Sequence, residues 1–246
     1  MLINELFFGP FKSKYEKGIY FVEDIYDDED FSGFYQSLED GFYDDEFYEN
    51  TLEHDGKVLE IGSGTGRIVR YLTKKGFDIY GLEPSEKMRS FIEEEYKDKI
   101  YPFGIEDIEK ISRIKFKSVI IPATTVSLFK FGVFEQFLIN LKKILAPDAK
   151  VYFDFWDEEY VNELHEKVQT IKYKDTTVYL GNHIKGDSLI FNIYINIENN
   201  EKLGLSKKNI YSRNIIKNIC EKIGYNVEFD NIYENIVLAR LTNGIL

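Results

Sequence analysis

The stretch from Lys57 to Met88 constrains this chain more than any other. An apolar run, Lys57–Ile61 (KVLEI), leads into three glycines at alternate positions, Gly62, Gly64 and Gly66. A helical pattern over 67–75 follows, with Ile68, Tyr71 and Leu72 on one face, and Gly76 stops it as the residue just past the cap. Residues 77–82 then read as a second strand that ends on Glu83. In a strand, glycine turn, helix, strand arrangement the glycines adopt backbone angles that other residues avoid and let the main chain approach a ligand. The first N–H groups of the helix stay unpaired and face that ligand.

The rest of the chain extends the alternation. Ser85 caps a helix expected over 86–96, 118–121 is a strand, 133–145 a helix, and 150–155 (KVYFDF) a further strand. Strands and helices alternating at this spacing imply an α/β fold, a mostly parallel sheet covered on both faces. After Trp156 the pattern changes. A helix is expected over 158–170, and then two strands, 171–181 and 188–198, antiparallel around Lys185-Gly186-Asp187. A last helix over 206–223 precedes a hairpin made of 224–227 and 236–241. Ahead of all this, 15–53 is dense in aromatics and acids. Phe31, Phe34, Tyr35 and Leu38 are spaced as a helix, Gly41 breaks the pattern before Phe42 and Tyr43, and a second helix runs over 44–52.

Glycine turns of this kind serve two ligand classes. A dinucleotide site requires G-x-G-x-x-G. Counted from Gly62, the sixth position is Arg67, and counting from Gly64 gives no match either. The pattern is Glu60-Ile61-Gly62-Ser63-Gly64-Thr65-Gly66, that is E-x-G-x-G-x-G. It resembles motif I of the class I S-adenosylmethionine (SAM) dependent methyltransferases, small-molecule type. The second element strengthens the likeness: Glu83 closes the next strand in Gly81-Leu82-Glu83-Pro84-Ser85-Glu86-Lys87-Met88. An acid there accepts hydrogen bonds from both hydroxyls of an adenosyl ribose. The likeness continues through the strand and loop of 115–129, the turn Ile144-Leu145-Ala146-Pro147-Asp148-Ala149-Lys150 and the tail 219–241. It implies a Rossmann-like, seven-stranded, mostly parallel sheet of order 3-2-1-4-5-7-6 with strand 7 antiparallel, helices on both faces, and a small antiparallel β insertion after strand 5.

The same resemblance implies a cofactor site for SAM, with S-adenosylhomocysteine as product. Its residues are Glu60, Gly62, Ser63, Gly64, Gly66, Glu83, Pro84, Ser85 and Met88, with Pro122, Ala123 and Thr124 after the fourth strand. The chain departs from the family where an Asp contacts the adenine amino group. Here Gly104 is followed by Ile105, Glu106 and Asp107, and either acid fits, Asp107 being preferred. Ser118 stands where the family often has Asp early in strand four, and Pro147-Asp148-Ala149 replaces the usual Pro-Gly-Gly. The catalytic group stays open. Asp154 and Trp156 end the fifth strand, where ligands bind in open α/β sheets. Tyr26 and Tyr35 resemble N-terminal tyrosines that reach the active site in the family, and His183 lies in the insertion beyond His165. Each of these also has a plain reading as packing or surface. No His/Cys/Asp grouping has metal-ligand spacing, and no metal is expected.

Four segments are expected: an aromatic and acidic helical cap over 1–56, a SAM-binding core over 57–157, an antiparallel β lid over 158–205, and a helix and hairpin over 206–246 that complete the core. Charge is distributed unevenly among them. The first 56 residues carry 16 acids against Lys12, Lys14 and Lys17, so the chain's net charge of −12 belongs to that segment and the remainder is near neutral. An acidic segment repels a phosphate backbone and draws cations, although a solvated helix face explains it equally simply. A small-molecule acceptor, cationic or amine-bearing, is therefore expected rather than nucleic acid. A peptide, protein or RNA acceptor, or a non-catalytic SAM-binding role, are the alternatives. Cys220 is the single cysteine, so no disulfide forms within the chain, in keeping with a cytoplasmic setting, and no apolar run is long enough to suggest a membrane span.

Overall fold

The computed structural model describes residues 2–38 and 44–244. Gly41, Phe42 and Tyr43 lie outside the described residues. In chain order the elements are α1 (Gly9–Glu16), β1 (Tyr20–Val22), α2 (Glu29–Ser37), α3 (Asp44–Thr51), β2 (Lys57–Ile61), α4 (Arg67–Lys74), β3 (Asp78–Leu82), α5 (Glu86–Ser90) and β4 (Ile100–Tyr101). They continue with β5 (Phe116–Ile121), α6 (Phe131–Leu141), β6 (Leu145–Trp156), α7 (Glu158–Glu163), β7 (Lys167–Tyr173), β8 (Thr176–Lys185), β9 (Ser188–Ile197), β10 (Asn200–Asn209), α8 (Arg213–Ile223), β11 (Tyr225–Tyr233) and β12 (Ile236–Asn243). They form two compact units, one of 39–157 with 211–246 and the other of 1–38 with 158–210.

The larger unit is built on a seven-stranded sheet of order β11-β12-β6-β5-β2-β3-β4. The strands from β4 to β6 run parallel, and β12 is antiparallel to both β6 and β11. Counted along the family's own strands this is the expected order 3-2-1-4-5-7-6. The central strands are apolar on both sides because both sides are covered. Leu59, Ile61, Val119 and Ile121 pack with Phe134, Phe137 and Leu138 of α6 and Ile216 and Cys220 of α8. Val58 and Ile120 face the other way, onto Ile68, Val69 and Leu72 of α4 and Tyr48 of α3. Cys220 is fully buried there, and burial pushes its thiol up to about 12, so it behaves as a small apolar side chain.

Several boundaries differ from expectation for identifiable reasons. The helix after Ser85 stops at Ser90 instead of reaching 96, and a separate 3-10 turn covers Glu94–Lys99. Glu93, Glu94 and Glu95 would place three acids at the negative end of a longer helix. α6 ends at Leu141, and β6 starts at Leu145 with its register to β5 interrupted between Phe116 and Ser118. Pro147 falls inside that interruption and has no N–H for the ladder. The expected helix over 206–223 is two elements: 206–209 extend β10, and α8 begins only after Ser212, whose side chain accepts the Ile215 N–H. The helix expected over 158–170 ends at Glu163, and the alternating, β-branched sequence of 167–173 forms a strand.

The smaller unit is a five-stranded sheet of order β1-β10-β9-β8-β7, antiparallel except for β1, which runs parallel to β10. Lys185 pairs with Ser188 around Gly186, as the turn residues predicted. Glu198 and Asn199, both with positive φ, close the next hairpin. Phe7, Phe8 and Phe11 cover one face, over Tyr194, Leu203 and Leu205. Ile25, Phe31 and Phe34 cover the other, over Val178, Ile193 and Ile195. Residues 1–56 therefore do not behave as a single cap. Residues 1–38 group with the insertion, and α3 packs in the larger unit through Tyr48 and Leu52. The insertion extends to Ile210, five residues past the expected boundary, because β10 runs on to Asn209.

Candidate functional site

The site is built on the turn between β2 and α4. Gly62, Gly64 and Gly66 have φ of 71°, 56° and 79°. Space excludes larger residues as well: a Cβ on Gly62 would lie 2.6 Å from Thr125 Cγ2, and one on Gly64 would lie 3.3 Å from Met88 Cε. The turn is tied to the neighbouring strand, since the N–H groups of Gly62 and Ser63 both donate to the Leu82 carbonyl, at 2.8 and 2.9 Å. Ser63 can lie flat on β3 because Gly81 lacks the Cβ that would meet its hydroxyl at 2.5 Å.

Glu83 links this turn to α5. Its Oε2 accepts the Gly64 N–H and its Oε1 the Ser85 N–H, each at 2.8 Å. Ser85 in turn accepts the Met88 N–H at 3.1 Å as the cap of α5. Arg89 donates to the Glu83 and Pro84 carbonyls at 2.7 and 2.6 Å, which fixes the main chain on which the carboxylate stands.

Glu60, on β2, is 2% exposed, and among the described residues no hydrogen-bond partner reaches its Oε2. Burial pushes its carboxyl well above the usual range, and Asp44, Asp45 and Glu83 act in the same direction, against Arg67. Arg67 itself is held by the start of α3, pairing with Asp44 at 2.8 Å and with Asp45. Buried acids around an uncluttered backbone turn suit a ligand that offers hydroxyl and cationic donors. They repel a pyrophosphate.

The second wall is the loop after β5, Pro122-Ala123-Thr124-Thr125. Ala123 and Thr124 have φ of 55° and 57°, a conformation that costs non-glycine residues about 1–3 kcal/mol each. The Asp154 carboxylate on β6 accepts the Thr124 N–H and is supported by that of Ala123. Its Oδ2 accepts the Tyr48 hydroxyl at 3.1 Å. Burial pushes Asp154 up to about 7 against the pull of these donors, and burial beside Asp154 pushes the Tyr48 hydroxyl well above its ordinary value.

The remaining candidates stand in other surroundings. Glu106 is exposed with its carboxylate close to Gly104, and Asp107 forms an exposed ion pair with Lys110 at 2.8 Å. Trp156 is half-buried at the end of β6 opposite Ile236. Tyr26, Tyr35 and His183 belong to the smaller unit. The two tyrosine rings meet edge to face at 6.0 Å. His183 is 2% exposed, stacks on Phe8 and contacts the Leu6 carbonyl at 2.9 Å, and burial lowers its pKa, so it is a core histidine. Among the described residues no group of three or more His, Cys, Asp or Glu is placed to hold a metal. No described helix is long and apolar enough to cross a membrane.

Part of the acidic stretch is neutralised where it is described. Asp44 and Asp45 pair with Arg67, Glu49 with Lys75, Glu53 with Lys150 and Asp55 with Lys117, while Asp28 and Asp30 pair with Lys202. Sequence reasoning missed Tyr48 and Arg67 as parts of the site. Arg67 carried a signal, as the cation directly after the third glycine. Tyr48 carried none, since its partner Asp154 is 106 residues away.

Comparison with known proteins identifies the family. The profile of a methyltransferase domain matches residues 36–228. An uncharacterized methyltransferase of Alkaliphilus oremlandii (strain OhILAs) is 32% identical over 138 residues, which is 50% of this chain and 62% of that protein. The chain thus matches less than two thirds of that relative's length. A SAM-dependent methyltransferase from Clostridium acetobutylicum ATCC 824 superposes with a TM-score of 0.71 at 15% identity, over 88% of this chain and 98% of the other. The sugar N-methyltransferase KedS8 from Streptoalloteichus sp ATCC 53650 gives 0.64 at 12% identity, over 82% and 85%. At these identities the likeness to the solved structures is one of fold.

Proposed function

The chain belongs to the methyltransferase domain family, and from that premise we propose that it transfers a methyl group from SAM to a nitrogen or oxygen nucleophile of a small molecule, an amine above all. When bound, SAM supplies a methyl group already activated on a sulfonium, so the protein's part is to orient two partners and exclude water.

Glu83 carries the reading. It is 7% exposed, its oxygens are held by the Gly64 and Ser85 N–H groups, and it closes the strand after the glycine turn, where an acid accepts from the ribose hydroxyls of an adenosyl ligand. Glu60 Oε2, buried without a hydrogen-bond partner among the described residues, would accept from the ammonium end of the cofactor. Gly62, Ser63, Gly64 and Gly66 would lie along the cofactor, as would Pro84, Ser85 and Met88, with Pro122, Ala123 and Thr124 as the facing wall. Of the two acids offered for the adenine amino group, Glu106 is carried forward, because Asp107 is paired with Lys110. An amine acceptor is supported by the shared fold with a sugar N-methyltransferase, and a neutral amine needs no general base.

The test is titration calorimetry with SAM and S-adenosylhomocysteine on the wild type and on Glu83→Ala. Micromolar binding by the wild type is expected, weakened about thirtyfold in the variant, the scale of losing charged hydrogen bonds worth ~2 kcal/mol. Absence of binding to folded wild type would sink the reading. Transfer from radiolabelled SAM to a panel of amines, phenols and peptides then ranks the acceptors, and labelling of peptides alone would overturn the small-molecule assignment.

A further inference from the structure

The loop after β5 is held in a conformation that its own residues resist. Ala123 and Thr124 are consecutive non-glycine residues with φ of 55° and 57°, and a β-branched residue rarely adopts such an angle. Without glycine, something outside the loop must impose it. The candidate is Asp154, one strand away on β6 and 4% exposed. Its Oδ1 accepts the Thr124 N–H, the Ala123 N–H also supports the carboxylate, and its Oδ2 is fixed by the fully buried Tyr48 hydroxyl. The left-handed pair delivers Thr125 onto the glycine turn, with its Cγ2 2.6 Å from the place a Cβ on Gly62 would take. A buried carboxylate thus reaches the turn through three consecutive residues, and a helix from another part of the same unit anchors it.

We propose that Asp154, anchored by Tyr48, is a positioning residue for methyl transfer: by accepting the Thr124 N–H it holds the strained loop that presses Thr125 against Gly62 and shapes one wall of the cofactor site. The inference rests on the methyltransferase reading for its catalytic consequence, and on geometry alone for the ordering of the loop. Asp154 needs no contact with either reactant. Its effect passes through the backbone, so what matters is an acceptor oxygen at that position rather than the charge. Asparagine provides one and alanine does not. Glycine at 124 accepts the left-handed angle unaided and lowers the need for the acceptor.

Hydrogen exchange on the free protein and steady-state kinetics together test this, using Asp154→Ala, Asp154→Asn, Tyr48→Phe and the double variant Asp154→Ala/Thr124→Gly. In Asp154→Ala, amide exchange should rise at least tenfold in a peptide covering 119–129 while β2 and β3 keep their protection. KM for SAM should rise at least fivefold with a smaller change in kcat. Asp154→Asn should stay within about threefold of wild type on both readouts, and Tyr48→Phe should fall between the two. The double variant should recover at least half of the lost protection and of the KM change. Unchanged loop exchange in Asp154→Ala overturns the proposal, as does exchange that rises equally throughout the unit or a double variant with no recovery. If the loop responds as expected in a wild type that binds no SAM, the positioning role in transfer fails together with the proposed function. If SAM binds and Asp154→Ala leaves KM untouched, the positioning role alone fails.

Discussion

Two kinds of glycine can be compared, those of the β2–α4 turn in the larger unit and those inside the strands of the smaller one. In the larger unit Gly62, Gly64 and Gly66 all have left-handed angles, and Gly76, with φ of 89°, ends α4 with nothing within 4 Å of a would-be Cβ. Those glycines serve conformation. In the smaller unit Gly181 and Gly204 lie in regular strands, and each is a notch. A Cβ on Gly181 would lie 2.5 Å from Phe11 and 2.8 Å from Phe8, and one on Gly204 would lie 2.6 Å from Ile25 and 2.8 Å from Phe31. The notches open on opposite faces of one sheet, because their partners Asn192 and Ile193 are adjacent in β9. Each admits aromatic side chains from the N-terminal segment. Conformational glycines announce themselves by falling between elements, whereas notch glycines sit inside a strand and reveal nothing until their neighbours are known.

Substitution separates the two kinds. The largest effect of a single substitution at fixed pH is expected from Gly204→Val, which must displace Ile25, Ile193 and Phe31 together, at a cost of about 3 kcal/mol for overpacking a filled core. Urea unfolding would measure it, and hydrogen exchange should place the added opening in β9 and β10. A cost below about 0.5 kcal/mol would mean that the notch relaxes freely.

Buried ionisable groups sharpen the contrast next. Asp154 is raised to about 7, so its contribution to stability is full below the ordinary carboxylate value and is lost as pH rises through about 7. Of the groups around it, Asp44 favours the same neutral form, whereas the Tyr48 hydroxyl and the Thr124 N–H pull the other way and are outweighed by burial. His183 in the smaller unit is lowered by burial, so its contribution is present above the ordinary histidine value and is lost as pH falls. Relative to Asp154→Asn, wild-type stability should decline between about pH 4 and 7 by up to about 1.4 kcal/mol per unit. Relative to His183→Gln, it should decline as pH falls below about 6. Parallel profiles for wild type and either variant would remove that residue from the account.

The smallest effect belongs to Gly76→Ala. The site is open and only the left-handed angle is lost, so about 1 kcal/mol is expected in thermal unfolding, with SAM affinity unchanged.

The same distinction governs what could be read in advance. The glycine turn, Glu83 and the cap at Ser85 were legible because each depends on residues close in sequence, while the order of the seven-stranded sheet followed only from the resemblance to the family. Helix ends were less legible: Glu93–Glu95 stopped α5 early, and Ser212 rather than Ser206 capped α8. In β10, residues 206–209 have no strong strand signal of their own and are extended by pairing with 188–191 of β9. The acidic N-terminal stretch looked like a field waiting for a cationic ligand, yet most of its described acids from 44 to 56 pair with Arg67, Lys75, Lys150 and Lys117.

By itself, the sequence determined the fold class, the turn that approaches a ligand and the acid that would hold a ribose, because backbone angle, capping and period act over a few residues. Only the tertiary structure decided that 1–38 joins the inserted sheet, since β1 meets β10 across about 180 residues of chain. It alone also set the state of the acids. Glu60, Glu83 and Asp154 are all carboxylates in the sequence, but burial leaves one without a hydrogen-bond partner among the described residues, fixes one with two backbone donors, and makes one the anchor of a strained loop. Desolvation and hydrogen bonding set those differences, and both depend on which groups the fold brings within a few ångströms.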